Sequence, residues 1–258
     1  MRQIVCIFLV LGALILAGCD QTQKPPESSG KTAPQSPQTP TVVVDKSTAG
    51  SVSGVISFKG AAPKMPMLDM SSDPACPPNP QAPDVVVVKN GKLANVFIYV
   101  KDADRLGTFA APSDPVVMDQ RGCHYTPHVL GLMVGQPLKI LNTDTAEHNI
   151  HPMPKNNTAW NESQVPRGDP IVKTFQHPEL MMPVECNQHP WMKMYVNVLP
   201  HPYFAVSAPD GSFQIKDLPP GEYTLVAVHE KYGEQTTKIT VAAKQSATAN
   251  FIFSSESK

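Results

Sequence analysis

The sequence predicts an all-β protein, and three observations support this class. Proline outnumbers glycine by 28 to 15 in 258 residues, and proline interrupts helix interiors. Short apolar runs with period-two alternation recur along the chain and are separated by turn residues. After the N-terminal apolar stretch, no segment has apolar residues at the 3.6-residue period of a helix. Together these features favour one or two β-sandwiches.

The first 18 residues have the form of a secretory signal. Arg2 is the only charged residue before Asp20, and residues 4–17 are almost wholly apolar, which is shorter than the ~20 residues needed to span a bilayer. The segment 16–19 (LAGC) resembles a bacterial lipobox. That resemblance implies cleavage before Cys19, acylation of its thiol, and a lipid anchor in a membrane of the bacterial cell envelope, with the inner and outer membranes both open. An ordinary signal with an incidental cysteine is the alternative.

The region that follows, residues 19–48, predicts a disordered tether. It is rich in Pro, Ser, Thr, Gln and Lys and shows no apolar periodicity. The net charge of the whole chain is −1. No basic field is available to hold a phosphate backbone, so the composition argues against nucleic-acid binding.

From residue 49 onward the sequence reads as strands and turns. Alternation over residues 52–58 predicts the first strand, which ends at Gly60. Four valines at 85–88, the turn Asn90-Gly91 and the apolar run 93–100 predict a tight hairpin. Further strands are predicted at 129–134, 138–141, 194–199, 213–215, 223–228, 239–241 and 249–253.

Two separated segments carry a first family resemblance. Residues 210–230 (DGSFQIKDLPPGEYTLVAVHE) resemble the carboxypeptidase regulatory-like, or transthyretin-like, β-sandwich, and residues 51–63 (SVSGVISFKGAAP) resemble its first strands. More than 100 residues lie between them. We therefore predict that residues 49–114 and 204–258 form this sandwich and that a second domain, residues 115–203, is inserted. One continuous, enlarged sandwich is the alternative.

The cysteines divide by position. Cys6 leaves with the signal and Cys19 is assigned to lipid, so Cys76, Cys123 and Cys186 remain. An exported location permits disulfides, and we predict a Cys76–Cys123 bond worth ~3–4 kcal/mol by loop closure. Two free thiols at these positions are the alternative. Cys186 is the cysteine left free.

Cys186 belongs to a set of possible copper ligands. His189 and Met192 follow it at spacings of three and six residues, and His148 lies 38 residues upstream. A thiolate, two imidazoles and a weak thioether are the ligands of blue-copper electron-transfer sites. The sequence thus predicts a copper site in the segment 115–203.

The same residues carry a second resemblance, to the cupredoxins. The segment 186–192 (CNQHPWM) and the segment 148–151 (HNIH) resemble the amicyanin-like pattern, and the resemblance covers residues 115–199. It implies a cupredoxin-like Greek-key sandwich, associated with the transthyretin-like β-sandwich, that holds one type 1 copper ion. The ligands that it implies are His148, Cys186, His189 and Met192. The spacing of Met194 resembles plastocyanin instead, so Met194 is the alternative axial ligand.

Three neighbours are expected to support the site without binding copper. Asn149 is expected to brace the ligand loop through hydrogen bonds, and His151 to lie close by. Trp191 is a candidate for an apolar rim around an exposed edge of His189, where a redox partner protein would dock.

The predicted function is single-electron transfer by a membrane-anchored copper protein that faces the periplasm or the cell surface. A complete set of four ligands leaves no obvious open coordination position, so we expect no enzymatic activity. Two alternatives remain. One is a non-redox surface lipoprotein that binds carbohydrate or protein, and the other is copper delivery or storage.

Overall fold

The computed structural model describes residues 41–257 and confirms the predicted all-β class. Apart from a short 3-10 helix at Ala103–Leu106, the regular elements of this range are strands. The predicted signal segment, the lipidation site Cys19 and most of the predicted tether lie outside the described residues. The described part of the chain contains no helix with the length and apolar character that a membrane crossing requires.

The strands, in chain order, are β1 (Gly50–Lys59), β2 (Val88–Lys89), β3 (Lys92–Leu93), β4 (Phe97–Val100), β5 (Val116–Gln120), β6 (Tyr125–Thr126), β7 (Val129–Met133), β8 (Leu138–Asn142), β9 (His148–Pro152), β10 (Glu162–Gln164), β11 (Ile171–Lys173), β12 (Glu179–Glu185), β13 (Lys193–Leu199), β14 (Phe204–Val206), β15 (Ser212–Leu218), β16 (Gly221–His229), β17 (Gly233–Val241), β18 (Ser246–Thr248) and β19 (Phe251–Ser254).

Strands from both ends of the described chain form one sandwich, here called the terminal sandwich (β1–β4 and β14–β19). One sheet has the order β15-β1-β3-β2, with β18 and β19 also pairing with β1, and the other has the order β14-β4-β16-β17. The long strand β1 runs antiparallel to β15 and parallel to β18 and β19. Fully buried side chains such as Ile56, Leu93 and Phe253 fill the space between the sheets.

Strands β5–β13 form a second sandwich, here called the central sandwich. Its sheets have the orders β10-β9-β12-β13-β7 and β11-β8-β5-β6. Most neighbours are antiparallel, but β13 pairs in parallel with β7, and β5 with β8. Met118, Ile140 and Val196 are among the fully buried residues of its core.

The two sandwiches pack through a separate apolar cluster. Phe97 and Val226 of the terminal sandwich bury against Val129 and Leu199 of the central sandwich. Gly131 of β7 permits this close approach, because a Cβ there would lie 2.7 Å from the ring atoms of Phe97 and Phe204. Burial of such side chains is worth up to ~1.5–3 kcal/mol each, so the junction is a substantial apolar contact.

A long loop of residues 60–87 crosses from the terminal to the central sandwich. Met70 and Cys76 of this loop are buried in the core of the central sandwich. A disulfide joins Cys76 to Cys123, the pairing that the sequence predicted. The predicted strand at 85–88 is wrong for most of its length, because only Val88 lies in β2. The predicted turn at Asn90-Gly91 is confirmed, since it connects the short β2–β3 hairpin.

Candidate metal centre

The β12–β13 hairpin places Cys186 and Met192 at its tip. Its register pairs Val184 with Met194 and Glu185 with Lys193. One step further, the Cys186 N–H donates to the Met192 carbonyl oxygen at 3.2 Å. The register therefore places Met192 opposite Cys186 and Met194 opposite Val184, and residues directly opposite in an antiparallel pair have Cβ atoms about 4.5–5.5 Å apart.

His148 and His189 complete a buried group of three donors. His189 lies in the turn of the hairpin, and His148 begins β9, which pairs with β12. The ligand atoms of His148, Cys186 and His189 all lie within 4.8 Å of one another, and each residue is at most 2% exposed. The two Nδ1 atoms are 2.9 Å apart, and His189 Nδ1 is 3.8 Å from Cys186 Sγ.

A carboxylate contacts the Nε2 atom of each of these imidazoles. His148 Nε2 lies 2.8 Å from an Asp144 oxygen, and His189 Nε2 lies 2.9 Å from an Asp73 oxygen. A carboxylate partner holds a proton on Nε2, so Nδ1 is the nitrogen at which a metal ion would bind, as it is in metal-bound histidines that are backed by a carboxylate. Both Nδ1 atoms therefore face the same point as Cys186 Sγ.

The disulfide joins the loop that carries Asp73 to the β5–β6 turn, which binds Asp144. Asp144 accepts hydrogen bonds from the N–H groups of Gly122 and Cys123, at 2.6 and 2.8 Å. Asp73 accepts one from the Ala75 N–H at 2.8 Å. The Cys76–Cys123 bond thus ties both carboxylate supports together beside the histidines, and Cys76 Sγ is 3.8 Å from His189 Nε2.

Hydrogen bonding keeps both carboxylates in their charged form. Burial opposes ionisation of Asp144, but its bonds to His148 and the backbone N–H groups lower its pKa overall. The Ala75 N–H, followed by His189, lowers the pKa of Asp73. Both carboxylates are therefore ionised at neutral pH.

The thiol of Cys186 is also activated. Burial alone would raise its pKa, but His148 and the backbone N–H groups of Asn149, His189 and Gln188 lower it to about 6. Burial likewise opposes the charged form of His148, yet Asp144 and Cys186 raise the pKa of this imidazole to about 9. A thiolate is thus available at neutral pH, and the thiolate is the form of cysteine that binds metals.

The three predicted supporting residues all lie beside the centre. Asn149 Oδ1 accepts the Asn187 N–H at 2.7 Å and lies 3.3 Å from Cys186 Sγ. His151 Nδ1 is 3.1 Å from the Asn187 side-chain oxygen, outside the group of three donors. The Trp191 ring packs against His189 with centroids 5.0 Å apart, and its indole N–H donates to the Cys123 carbonyl oxygen at 3.1 Å.

The expectation of an exposed His189 edge is wrong. His189 is 2% exposed, because the loop 60–87 covers it and Asp73 contacts its Nε2.

Asp73 and Asp144 were not predicted from the sequence as supports of the two histidines. Asp144 lies four residues before His148, a spacing that was available as a signal, whereas Asp73 is 116 residues from its partner and only its nearness to Cys76 pointed to it.

The carboxylate of Glu185, next to Cys186 in sequence, lies on the opposite face of the strand from the thiolate. Glu185 Oε1 contacts Lys193 Nζ at 2.8 Å, across the register pair that the two residues form. Because successive strand residues face opposite sides, Glu185 points away from the side on which Cys186 and Met192 lie. Glu185 therefore has a partner of its own outside the metal centre.

Comparison with known proteins gives one family match. The carboxypeptidase regulatory-like domain matches residues 193–254, which include the segment 210–230 that resembles it and begin within β13. No curated protein sequence is significantly similar to the chain.

Several solved structures resemble part of the chain. A purple cupredoxin from Nitrosopumilus maritimus is 22% identical, with a TM-score of 0.28, over 32% of this chain and 98% of its own. A copper(I) form of an amicyanin variant is 20% identical, with a TM-score of 0.30, over 39% and 97%. A copper-containing nitrite reductase from Thermus scotoductus is 20% identical, with a TM-score of 0.31, over 38% of this chain; the chain spans 26% of that enzyme's length.

The chemistry of the donor set fits copper. Two imidazole nitrogens and a cysteine sulfur converge, and the backbone of Met192 pairs with Cys186 across the hairpin. Imidazole suits both copper oxidation states, while thiolate and thioether favour Cu(I). The residues present therefore match the ligands of a copper centre.

Proposed function

We propose that this chain is a type 1 copper protein that transfers single electrons. Its ligands are His148, Cys186 and His189, with Met192 in the axial position. The observation that carries this proposal is the convergence of two Nδ1 atoms, 2.9 Å apart, beside the Cys186 sulfur while both Nε2 atoms are held by carboxylates. One copper ion would supply the redox chemistry by alternating between Cu(I) and Cu(II).

The protein's own contribution is a ligand set that is fixed in advance. Asp144 and Asp73 hold the Nε2 protons, so both imidazoles keep one tautomer and one orientation. Asn149 links the Cys186 sulfur to the following backbone N–H. Burial of all three donors excludes water. Fixed ligands move little between oxidation states, and this keeps the cost of each electron transfer small.

The hairpin register supports Met192 over Met194 as axial ligand. Met192 lies opposite Cys186, whereas Met194 lies opposite Val184, one pair further from the tip. Both methionines are fully buried, at 1% and 0% exposure. Met194 then has a simpler role, as part of the core of the central sandwich.

Electron transfer suits the buried state of the donors better than catalysis on a bound substrate. The ligand residues are covered, so a substrate does not reach the metal, whereas an electron crosses a few ångströms of protein. We propose that the partner is a redox protein that forms a small, transient contact. The lipidation of Cys19 and attachment to the cell envelope are part of the same proposal and rest on the segment 16–19.

A redox titration tests the function. The chain from residue 42 on, which lacks the lipidation signal, is loaded with one equivalent of Cu(II) and titrated with a mediated reductant and then an oxidant. We expect one reversible one-electron step and retention of copper against a chelator for hours. Loss of copper within minutes would indicate delivery instead of electron transfer, and the absence of a reversible step would contradict the proposal.

A further inference from the structure

A cavity lies beside the candidate metal centre, where the loop 60–87 and both sandwiches meet. Its volume is about 230 Å³, and we call it the junction cavity. Apolar side chains form much of its wall: Leu68, Pro83, Val85, Pro190 and Trp191. A dry apolar cavity of about 150 Å³ accommodates benzene, so this volume suits a single aromatic ring with small substituents.

Two imidazole–carboxylate pairs also line the junction cavity. His124 Nδ1 contacts an Asp84 oxygen at 2.9 Å, and His128 Nε2 contacts Glu230, which comes from the terminal sandwich. His128 is 7% exposed, and its Nδ1 has no hydrogen-bond partner among the described residues. That nitrogen has almost no accessible surface, so a ligand in the cavity does not reach it. His124 instead has a side chain that is 19% exposed, and its Nε2 has no hydrogen-bond partner among the described residues. A ligand hydroxyl group in the cavity can donate to this Nε2.

The balance of charge favours a neutral ligand. Each histidine of the cavity faces a carboxylate, and the remaining cation, Lys193, is paired with Glu185. Neither an anion nor a cation would find an unpaired countercharge among these side chains. The cavity therefore suits a neutral ring that carries hydroxyl groups.

Trp191 connects the junction cavity to the metal centre. Its indole forms part of the cavity wall, and the same ring packs against His189 with centroids 5.0 Å apart. A molecule in the cavity is thus separated from a proposed copper ligand by one aromatic side chain. This relationship gives an occupant a short path for an electron, although the metal centre itself is covered.

We propose that the junction cavity binds a single-ring aromatic diol of the hydroquinone class, which donates electrons to the copper through Trp191 and His189. This inference rests on the proposed function. In one step, an O–H bond of the diol breaks, its proton passes to His124 Nε2, and its electron reduces Cu(II) to Cu(I). The product is a semiquinone. Reaction with a second Cu(II) centre removes the second electron and proton and gives the quinone.

A binding titration on the metal-free chain tests the cavity separately from copper. The probe is resorcinol, a diol that forms no simple quinone, and the signal is Trp191 fluorescence in a Trp160→Phe background, since the chain has two tryptophans. We expect saturable quenching. Val85→Phe should fill the cavity and weaken binding at least tenfold, and Leu68→Phe provides a second filling variant. Val172→Phe, at an exposed valine, is the matched control and should bind as the parent does.

Stopped-flow reduction of the Cu(II) form tests the electron path. The rate with hydroquinone should saturate and fall at least tenfold in Val85→Phe, while the rate with hexaammineruthenium(II), which needs no cavity, should stay within twofold. Equal hydroquinone rates in parent and variant, or no saturable resorcinol binding, would overturn the inference with the copper site intact. If no type 1 copper forms, the proposed function and this electron path both fail, and the titration still decides whether the cavity binds the diol.

Discussion

His148 and His189 present their Nδ1 atoms to each other at 2.9 Å, while their Nε2 atoms contact Asp144 and Asp73. Each ring is therefore oriented by a carboxylate from a different loop, and the disulfide Cys76–Cys123 joins the loop of Asp73 to the turn whose N–H groups bind Asp144. The loop 60–87, which follows strand β1 of the terminal sandwich, covers His189 and so connects the terminal sandwich to this arrangement. The candidate metal centre is thus supported by chain segments that lie far apart in sequence.

The two methionines of the hairpin are expected to respond differently to truncation. Met192→Ala removes the thioether opposite Cys186, so the absorption spectrum and reduction potential of the copper form should change. Met194→Ala removes a buried core side chain, and the expected result is a loss of about 2–5 kcal/mol in the free energy of unfolding with an unchanged spectrum. Spectroscopy and urea unfolding of both variants distinguish them, and the reverse pattern would assign Met194 as axial ligand.

Replacement of Asp73 by Asn should raise the reduction potential of the bound copper. The carboxylate beside His189 stabilises the more positive Cu(II) state, and its removal favours Cu(I). We expect a rise on the order of 60 mV, equivalent to a tenfold change in a one-electron equilibrium. The matched control is Asp69→Asn, on the same loop, since Asp69 is exposed and bonds to the Ser71 N–H. Equal potentials in the two variants would show that Asp73 does not act on His189.

Removal of the disulfide should destabilise the chain. The bond spans 47 residues, and loop-closure entropy predicts a loss of about 3–4 kcal/mol in Cys76→Ala/Cys123→Ala. For a chain of this size the melting temperature should fall on the order of 10 °C. Calorimetry with and without a reductant checks this, because reductant should lower the melting temperature of the parent and leave the double variant unchanged. A reductant-sensitive double variant would contradict the assignment.

The metal-free chain should lose stability in mild acid because of two buried histidines. Burial lowers the pKa of His201 and of His229 to about 4, whereas the unfolded value is 6.5. Between pH 6.5 and 4 the unfolded state binds these protons and the folded state does not. Stability should therefore fall with decreasing pH by up to about 1.4 kcal/mol per pH unit for each histidine.

One further titration overlaps the upper end of this window. The pKa of Cys186 is lowered to about 6, so its contribution to stability is lost as pH falls through 6, and the slope due to the two histidines is measured below about pH 5.5. The pKa of His148 is raised to about 9, so its contribution is lost as pH rises through 9 and is complete below 6.5. Urea unfolding at several pH values measures the slope, which His229→Gln should reduce. His177→Gln, at an exposed histidine, is the control. An unchanged slope in His229→Gln would exclude this residue as a source of the acid sensitivity.

The fold and the metal centre were predictable to different extents. The spacing of Cys186, His189 and Met192 is local, because a hairpin turn fixes it, and period-two alternation located long strands such as β1, β13 and β16. The stretch after His148 is polar and irregular and has no alternating pattern, so it did not predict β10 and β11, which are three residues long. Asp73 reaches His189 only through the path of a proline-rich loop, and no local pattern encodes a contact between residues so far apart.

In the proposed function, Cys186 binds copper together with the two histidines. The most direct test of this assignment is the visible absorption and electron paramagnetic resonance of the Cu(II)-loaded chain from residue 42 on, with Cys186→Ser in parallel. We predict an intense thiolate-to-copper charge-transfer band and narrow copper hyperfine splitting in the parent, both absent in the variant, which keeps His148 and His189. A weak, ordinary Cu(II) spectrum in the parent, or an intense band that survives in Cys186→Ser, would contradict the assignment.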